Sequence, residues 1–266
     1  MDYFKKQILP NLQSHNFYLF GLGLTLGTII GKKILNVYQQ KISKCNVLNE
    51  TKDKDKDKDK DKDKNSNKKI NINNTIYFFA HFLFNMYCVF NCWKSVKTLA
   101  NNPLNVINVP NTMGFYTPLF HLYHIALCRN SIQIDELIHH LWVFIICPLM
   151  CINYTNISDM GMFFLTGLPG GITYLLLSLK NTYFIEDITE KRISKHLNMW
   201  VRAPGCILTS YVIYLNYINN NFGDLTLLYK IGVFLCMFGT FINGMYFAST
   251  IIESHAISKH KKHLMT

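Results

Sequence analysis

Apolar residues fall in seven runs along the chain: Phe17–Ile30, Thr75–Trp93, Met113–Cys128, Leu137–Tyr154, Met160–Leu179, Met199–Ile218 and Leu225–Ile252. Polar or charged segments separate them. Within a run the apolar positions do not alternate with polar ones, so the pattern predicts helices rather than barrel strands. A helix crosses a bilayer core in about 20 residues, at about 1.5 Å each. Most of the runs approach that length, which predicts an all-α polytopic transmembrane bundle of about seven spans. The first run is short. It reaches Val37 only if Lys32 and Lys33 lay their stems along apolar surface and lift their ammonium groups to the headgroups. With no small-residue exit before "GKK", it reads as a retained anchor rather than a cleaved leader. The last run is long enough to tilt or to project from the bilayer.

Composition strengthens this picture. Charged residues are 16% of the chain against 49% hydrophobic, whereas an average soluble chain carries about 25% charged. Much of the charge sits in one tract, "KDKDKDKDKDKDK" at 52–64. It has nothing apolar to bury and predicts a solvated, disordered linker. The chain therefore divides into 1–38 with the first span, a linker at 39–74, a transmembrane core at 75–252 and a basic tail at 253–266.

The net charge of +11 comes from 27 basic and 16 acidic residues. The basic residues form no stripe with interleaved aromatics on a soluble module, which argues against nucleic-acid binding. Loop asymmetry explains them. With a luminal N-terminus, only Lys5, Lys6, Lys94 and Lys97 among the loop lysines and arginines fall outside, and the C-terminus is cytosolic. Membrane lipids are the partners this implies. Protein partners are not specified, and a homo-oligomer is left open.

An ionisable group inside a bilayer costs roughly 2.5–3.5 kcal/mol on insertion scales, so each one is a functional candidate. "FHLYHIAL" sets His121 and His124 three apart on one helix face, with Tyr123 between them. "IDELIHHLW" sets Asp135 four residues before His139, with His140 next to it. The connection at 129–134 is short, so the two helices predict an antiparallel hairpin that gathers these groups near its cytosolic end. Asp135 would fix the tautomer of His139 and raise its basicity, making it a general base. The plainer reading is a hairpin sealed by interhelical hydrogen bonds.

Arg202, in "NMWVRAPGC", lies one turn into the sixth run. It either snorkels to the headgroups or reaches an anionic headgroup, a phosphate or Asp135. Pro169 and Gly170, in "TGLPGGITY", predict a kink or close helix packing, or a broken helix lining a polar cavity. His81 stands alone in an aromatic run and is assigned to packing or hydrogen bonding. Cys88/Cys92 and Cys147/Cys151 share helix faces in apolar runs and act as small hydrophobes. His121/His124 form an HxxH, but no complete HxxHH box of the membrane di-iron enzymes is present, so no metal is assigned.

The array of spans with "HLYHIALCRNSIQIDELIHHLW" resembles the TLC domain of translocation-associated and Lag1-type ceramide-synthase proteins. There, a polar residue in one helix is followed by an acid in a short loop and an HH pair opening the next helix. Asp135, His139 and His140 match that pattern, and His121 and His124 stand near the place of a common aspartate. The resemblance covers roughly residues 75 to 252. It implies an endoplasmic-reticulum or related membrane and a role in lipid handling or membrane-lipid homeostasis. Ceramide synthases continue with a second His-Asp…Asp element. Here "DMGMFFLTGLPGGITYLLLSLK" holds neither the histidine nor an Asp pair, so the resemblance speaks for fold more than for N-acyl transfer.

Under the enzyme alternative, an acyl-CoA thioester would supply the acyl group and a lipid amine or hydroxyl would accept it. His139, His140, Asp135 and His124 would be the catalytic set, with His121, Tyr123, Arg202, Pro169 and Gly170 contacting substrate. No other cofactor is implied. A third reading is a membrane scaffold or chaperone with the hairpin histidines packed and no cavity beside them.

Overall fold

A computed structural model describes residues 25–37, 39–40, 72–128, 137, 140–141, 143–145, 147, 154–223 and 226–265. The Lys/Asp tract, Asp135, His139, Cys151 and most of the first apolar run lie outside the described residues. After a helical stretch at 25–37, the elements are α1 (Ile72–Asn101), α2 (Thr112–Cys128), α3 (Asn156–Met162), α4 (Leu168–Asn181), α5 (Asp187–Leu197), α6 (Ala203–Ile218) and α7 (Leu227–Met265). π-helical turns join α3 to α4 (Phe163–Gly167) and α5 to α6 (Asn198–Arg202). Among the described residues the architecture is all-α. Three helices are long and apolar enough to cross a membrane: Ile72–Asn101, Asn156–Asn181 and Leu227–Leu264. The sequence pattern predicted about seven. Of the remaining runs, α2 and α6 are shorter, at 17 and 16 residues, and the first and fourth fall largely outside the described residues.

Both π turns have the same local cause. Each is followed by a helix whose second residue is proline, Pro169 in "LPGG" and Pro204 in "APGC". Proline offers no N–H to the carbonyl four residues back, so the ladder slips to a wider turn there. The predicted irregularity at Pro169 and Gly170 is thus a widened turn that keeps the helix continuous from α3 into α4.

Cross-helix contacts set the packing. Ser95 meets Asp159, Asn85 meets Thr166, and Tyr77 meets Tyr174, so α1 runs antiparallel to the α3–α4 rod. Phe84 stacks on Phe120 with centroids 4.3 Å apart and Tyr77 meets His124, so α2 runs antiparallel to α1. Ser210 donates to the Met237 carbonyl, and Gly244 lies against Cys206, so α6 and α7 are antiparallel as well. The apolar core between α1, α2 and the α3–α4 rod holds Phe84, Cys88, Cys92, Met113, Phe120 and Phe163. Cys88 and Cys92 are fully buried there, with sulfurs 3.8 Å apart and unbridged, which is the small-hydrophobe role expected of them.

Asparagines close one end of the bundle. Asn156 donates to the Asn105 carbonyl and accepts from the Ile107 N–H, and Asn216 donates to the Pro103 carbonyl. Both side chains are fully buried, so these bonds satisfy a loop that has few partners of its own. Asn156 opens an N-x-S sequon with Ser158, and its buried, bonded amide closes it to glycosylation in this fold.

At the other end, Asp187 pairs with Lys180 and Lys191 at 2.8 and 3.1 Å, and Lys262 of α7 pairs with Glu186. α7 runs unbroken into the basic tail, and at about 1.5 Å per residue it is far longer than a bilayer core of about 30 Å. Nearby, buried Glu190 accepts from the Ser194 hydroxyl at 2.9 Å. Burial holds its carboxyl above the ordinary value of 4.5, despite that bond. The sign follows: with the folded value above the unfolded one, the charged form costs stability as pH rises through 4.5, and the full cost is present above the folded value. Glu190→Gln keeps an acceptor for Ser194 without the charge. We expect it to raise the thermal midpoint of the detergent-purified protein at neutral pH and to leave it unchanged below pH 4.5. A lowered midpoint at neutral pH would contradict this.

Candidate functional site

A cavity of about 330 Å³ lies between α1, α2, the α3–α4 rod and α7. Its walls are mostly apolar, with Phe84, Phe120, Met162, Leu177 and Leu235 among them. The polar atoms come from stripes at helical spacing. His81 and Asn85 face it from α1, Thr117 and His121 from α2, and Gly170 and Thr173 from α4. Thr240 and Asn243 complete it from α7, and Arg202 enters from the π turn before α6. Each stripe repeats at three or four residues, so one face of each apolar helix is polar and those faces converge.

The histidines gather at this cavity. His121 lines it, while His124 and His140 are buried beside it. His121 Nδ1 and His140 Nδ1 are 2.8 Å apart. Two such nitrogens bond only if one carries a proton and the other is bare, so the pair shares one proton and holds the two rings in different protonation patterns at Nδ1. The His124 ring stands at 86° to that of His140, with centroids 4.7 Å apart.

His81 belongs to the same group. Its ring lies 5.1 Å from that of His124 and 4.1 Å from Tyr77. Its Nδ1 is 2.8 Å from the Tyr77 carbonyl, which can only accept, so Nδ1 carries the proton. The hydrogen bond expected for His81 is present, but the residue is not alone: it lines the cavity with Asn85 one turn on. The signal for both is in the sequence, as two polar residues four apart inside an apolar run.

Of the residues singled out from sequence, His121, His124 and His140 come together, and Arg202 and Gly170 line the same cavity from other helices. Asp135 and His139 lie outside the described residues. Tyr123 points elsewhere, its hydroxyl 2.7 Å from Thr28 Oγ1 on the helical stretch at 25–37. Pro169 is fully buried and shapes the turn rather than the cavity wall.

No metal is expected from the sequence, yet His121, His124 and His140 each offer a nitrogen, all within 4.8 Å of one another. Tetrahedral zinc with bonds of about 2.0–2.1 Å separates its ligand nitrogens by roughly 3.4 Å. A metal bound through the two Nδ1 atoms would displace the proton that His121 and His140 share.

Arg202 is 7% exposed and Asn85 1% exposed. Arg202 Nη1 donates to Asn198 Oδ1 at 3.1 Å, and its guanidinium carbon lies 4.8 Å from the Phe247 ring centroid. Among the described residues no carboxylate pairs with it.

Among the described residues, fold and site together define an all-helical protein with three helices long and apolar enough to cross a membrane and a buried histidine triad beside an interior cavity. No family model matches the chain, and neither a curated protein nor a solved structure matches it.

Proposed function

We propose that this chain is an integral membrane protein of TLC type that handles membrane lipid, with the lipid's polar end held in the cavity beside the histidines. The cavity carries the reading: a mostly apolar space of about 330 Å³ that gathers its polar groups in facing stripes suits an amphiphile. The outer surface supports it. Phe90, Trp200, Phe234 and Tyr246 are each more than half exposed, a surface that lipid accepts and water does not. In this reading the N-terminus is luminal and the C-terminus cytosolic, in the endoplasmic reticulum or a related membrane.

The test is lipid extraction from the full chain purified in a neutral maltoside detergent. About one lipid per chain is expected to co-purify. Leu177→Trp, which puts an indole into the cavity, should cut that below a tenth while the protein stays folded. Wild-type protein carrying no lipid above the detergent background would end the proposal.

The shared proton between His121 and His140 favours one further reading, acyl transfer. The pair would take a proton from a lipid amine or hydroxyl through His121, which lines the cavity, as that atom attacks a thioester carbonyl, with His140 accepting the proton that the two rings share. The carbon–sulfur bond then breaks, and the leaving thiolate takes a proton back from His121. A general base is worth about 10²–10⁴ in rate, so His140→Ala should lower the acylated product at least 100-fold. Unchanged product at equal expression excludes this reading and leaves lipid binding standing.

A further inference from the structure

We infer that Arg202 and Asn85 form a seat for an anion inside the cavity, and that the lipid held there carries a phosphate or carboxylate group. This rests on the lipid-handling reading and specifies its ligand.

A guanidinium cannot lose its proton in a protein, so Arg202 is a permanent positive charge. Burying such a charge costs several kcal/mol unless a partner offsets it. Among the described residues that partner is missing. The Phe247 ring and the Asn198 amide oxygen each help, but neither is an anion.

The unsatisfied atoms point the same way. Arg202 Nε, Asn85 Nδ2, Thr173 Oγ1 and Thr117 Oγ1 are buried, and no atom of the described residues bonds them. All four residues line the cavity. Each of these atoms can donate, as an anion requires.

Two of the donors are held close by design of the backbone. A Cβ at Gly170 would lie 2.7 Å from Asn85 Nδ2 and 3.7 Å from Arg202 Nη2. A methyl there would push the Asn85 amide aside and touch Arg202 at ordinary contact distance, so the glycine keeps the two groups over one point. Asn85 is turned to present its amide N–H₂, because its Oδ1 accepts from Thr166 Oγ1 at 2.9 Å.

The fork of Arg202 has a definite open edge. Nη1 is committed to Asn198, while Nε is without a partner and Nη2 stands at Gly170. The Nε/Nη2 edge is the one that binds two oxygens of a carboxylate or phosphate in parallel. The ligand class that fits is an oxyanion on an apolar chain, with its tail along Leu177 and Leu235.

The experiment uses the full chain in neutral maltoside, with dodecyl phosphate, laurate, dodecanol and inorganic phosphate as probes, read by affinity and by thermal midpoint. Dodecyl phosphate or laurate should bind and raise the midpoint, and dodecanol should bind at least tenfold more weakly. Inorganic phosphate binding as tightly as dodecyl phosphate would keep the seat but assign it to the free ion.

Arg202→Met should abolish the response to anions and raise the midpoint of the ligand-free protein, because it removes an uncompensated charge. Arg202→Lys keeps a point charge without the fork and should lose about tenfold in affinity. Should Arg202→Met fail to fold, Asn85→Leu carries the test, with the same tenfold loss expected. Unchanged anion affinity in Arg202→Met or Asn85→Leu overturns the seat.

So does a tenfold gain in anion affinity on Asp135→Asn, since an internal acid would then already occupy it. An uncharged lipid in the wild-type extract, with no response to any anion, overturns the seat and leaves the lipid-handling reading intact.

Discussion

Gly205→Ala is expected to destabilise the protein by roughly 3 kcal/mol, at the upper end of overpacking costs. On helix propensity alone it should gain about 1 kcal/mol. Packing decides the sign. A Cβ at position 205 would lie 2.0 Å from Phe164 Cδ1 and 2.3 Å from Cγ, inside the ring. That ring is no flexible side-chain tip. Phe164 packs against both apolar clusters of the protein, so it has nowhere to go without opening one of them.

The effect should reach the cavity, because Gly205 follows Arg202 by three residues. Moving α6 off Phe164 withdraws Arg202 from Gly170. Thermal unfolding in detergent measures the loss, and Phe164→Leu should restore part of it in the double variant. A Gly205→Ala protein as stable as the wild type would show that α6 does not sit this tightly on the α3–α4 rod.

Asp159→Ala should cost about 3–4 kcal/mol. The carboxylate is buried where α3 meets α1. It accepts from Ser95 Oγ at 2.5 Å and from the Tyr154 hydroxyl at 2.8 Å. Alanine leaves two buried hydroxyls without an acceptor, at about 1–3 kcal/mol each, offset in part by not having to bury a carboxylate. The asymmetry of buried hydrogen bonds supplies the control. Removing all three polar groups at once, as Asp159→Leu with Ser95→Ala and Tyr154→Phe, should recover most of the loss, since no orphaned donor remains. If the triple variant is as unstable as Asp159→Ala, the cost arises from packing and the hydrogen-bond account is wrong.

Much of the site was legible from spacing. His121 and His124 at three apart, and an HH pair just across a short connection, predict four imidazoles near one another because helix geometry and a short loop are local constraints; His121, His124 and His140 do meet, and His139 lies outside the described residues. Arg202 stood out because a charge within an apolar run must be matched. Other parts were not legible. His81 reads from sequence as a packing or hydrogen-bonding residue, and it makes that bond to the Tyr77 carbonyl, but nothing in its own run says that α1 lies against α2 with Tyr77 and His81 facing His124. Gly170 reads from sequence as a kink, as close helix packing or as backbone lining a cavity, and the sequence does not say what comes close: Asn85 and Arg202 approach it from elsewhere in the bundle.

The number of membrane crossings marks the same boundary. Run length predicted about seven, and three helices among the described residues meet the length and apolarity a crossing needs. The sequence by itself determined the helical class and the shared face of His121 and His124, because a 3.6-residue period is a property of each segment alone. Only the tertiary structure decided that four stripes face one cavity and that Arg202 meets Asn85 over a glycine. Those depend on which faces pack together, and that choice is made by the side chains of several helices at once.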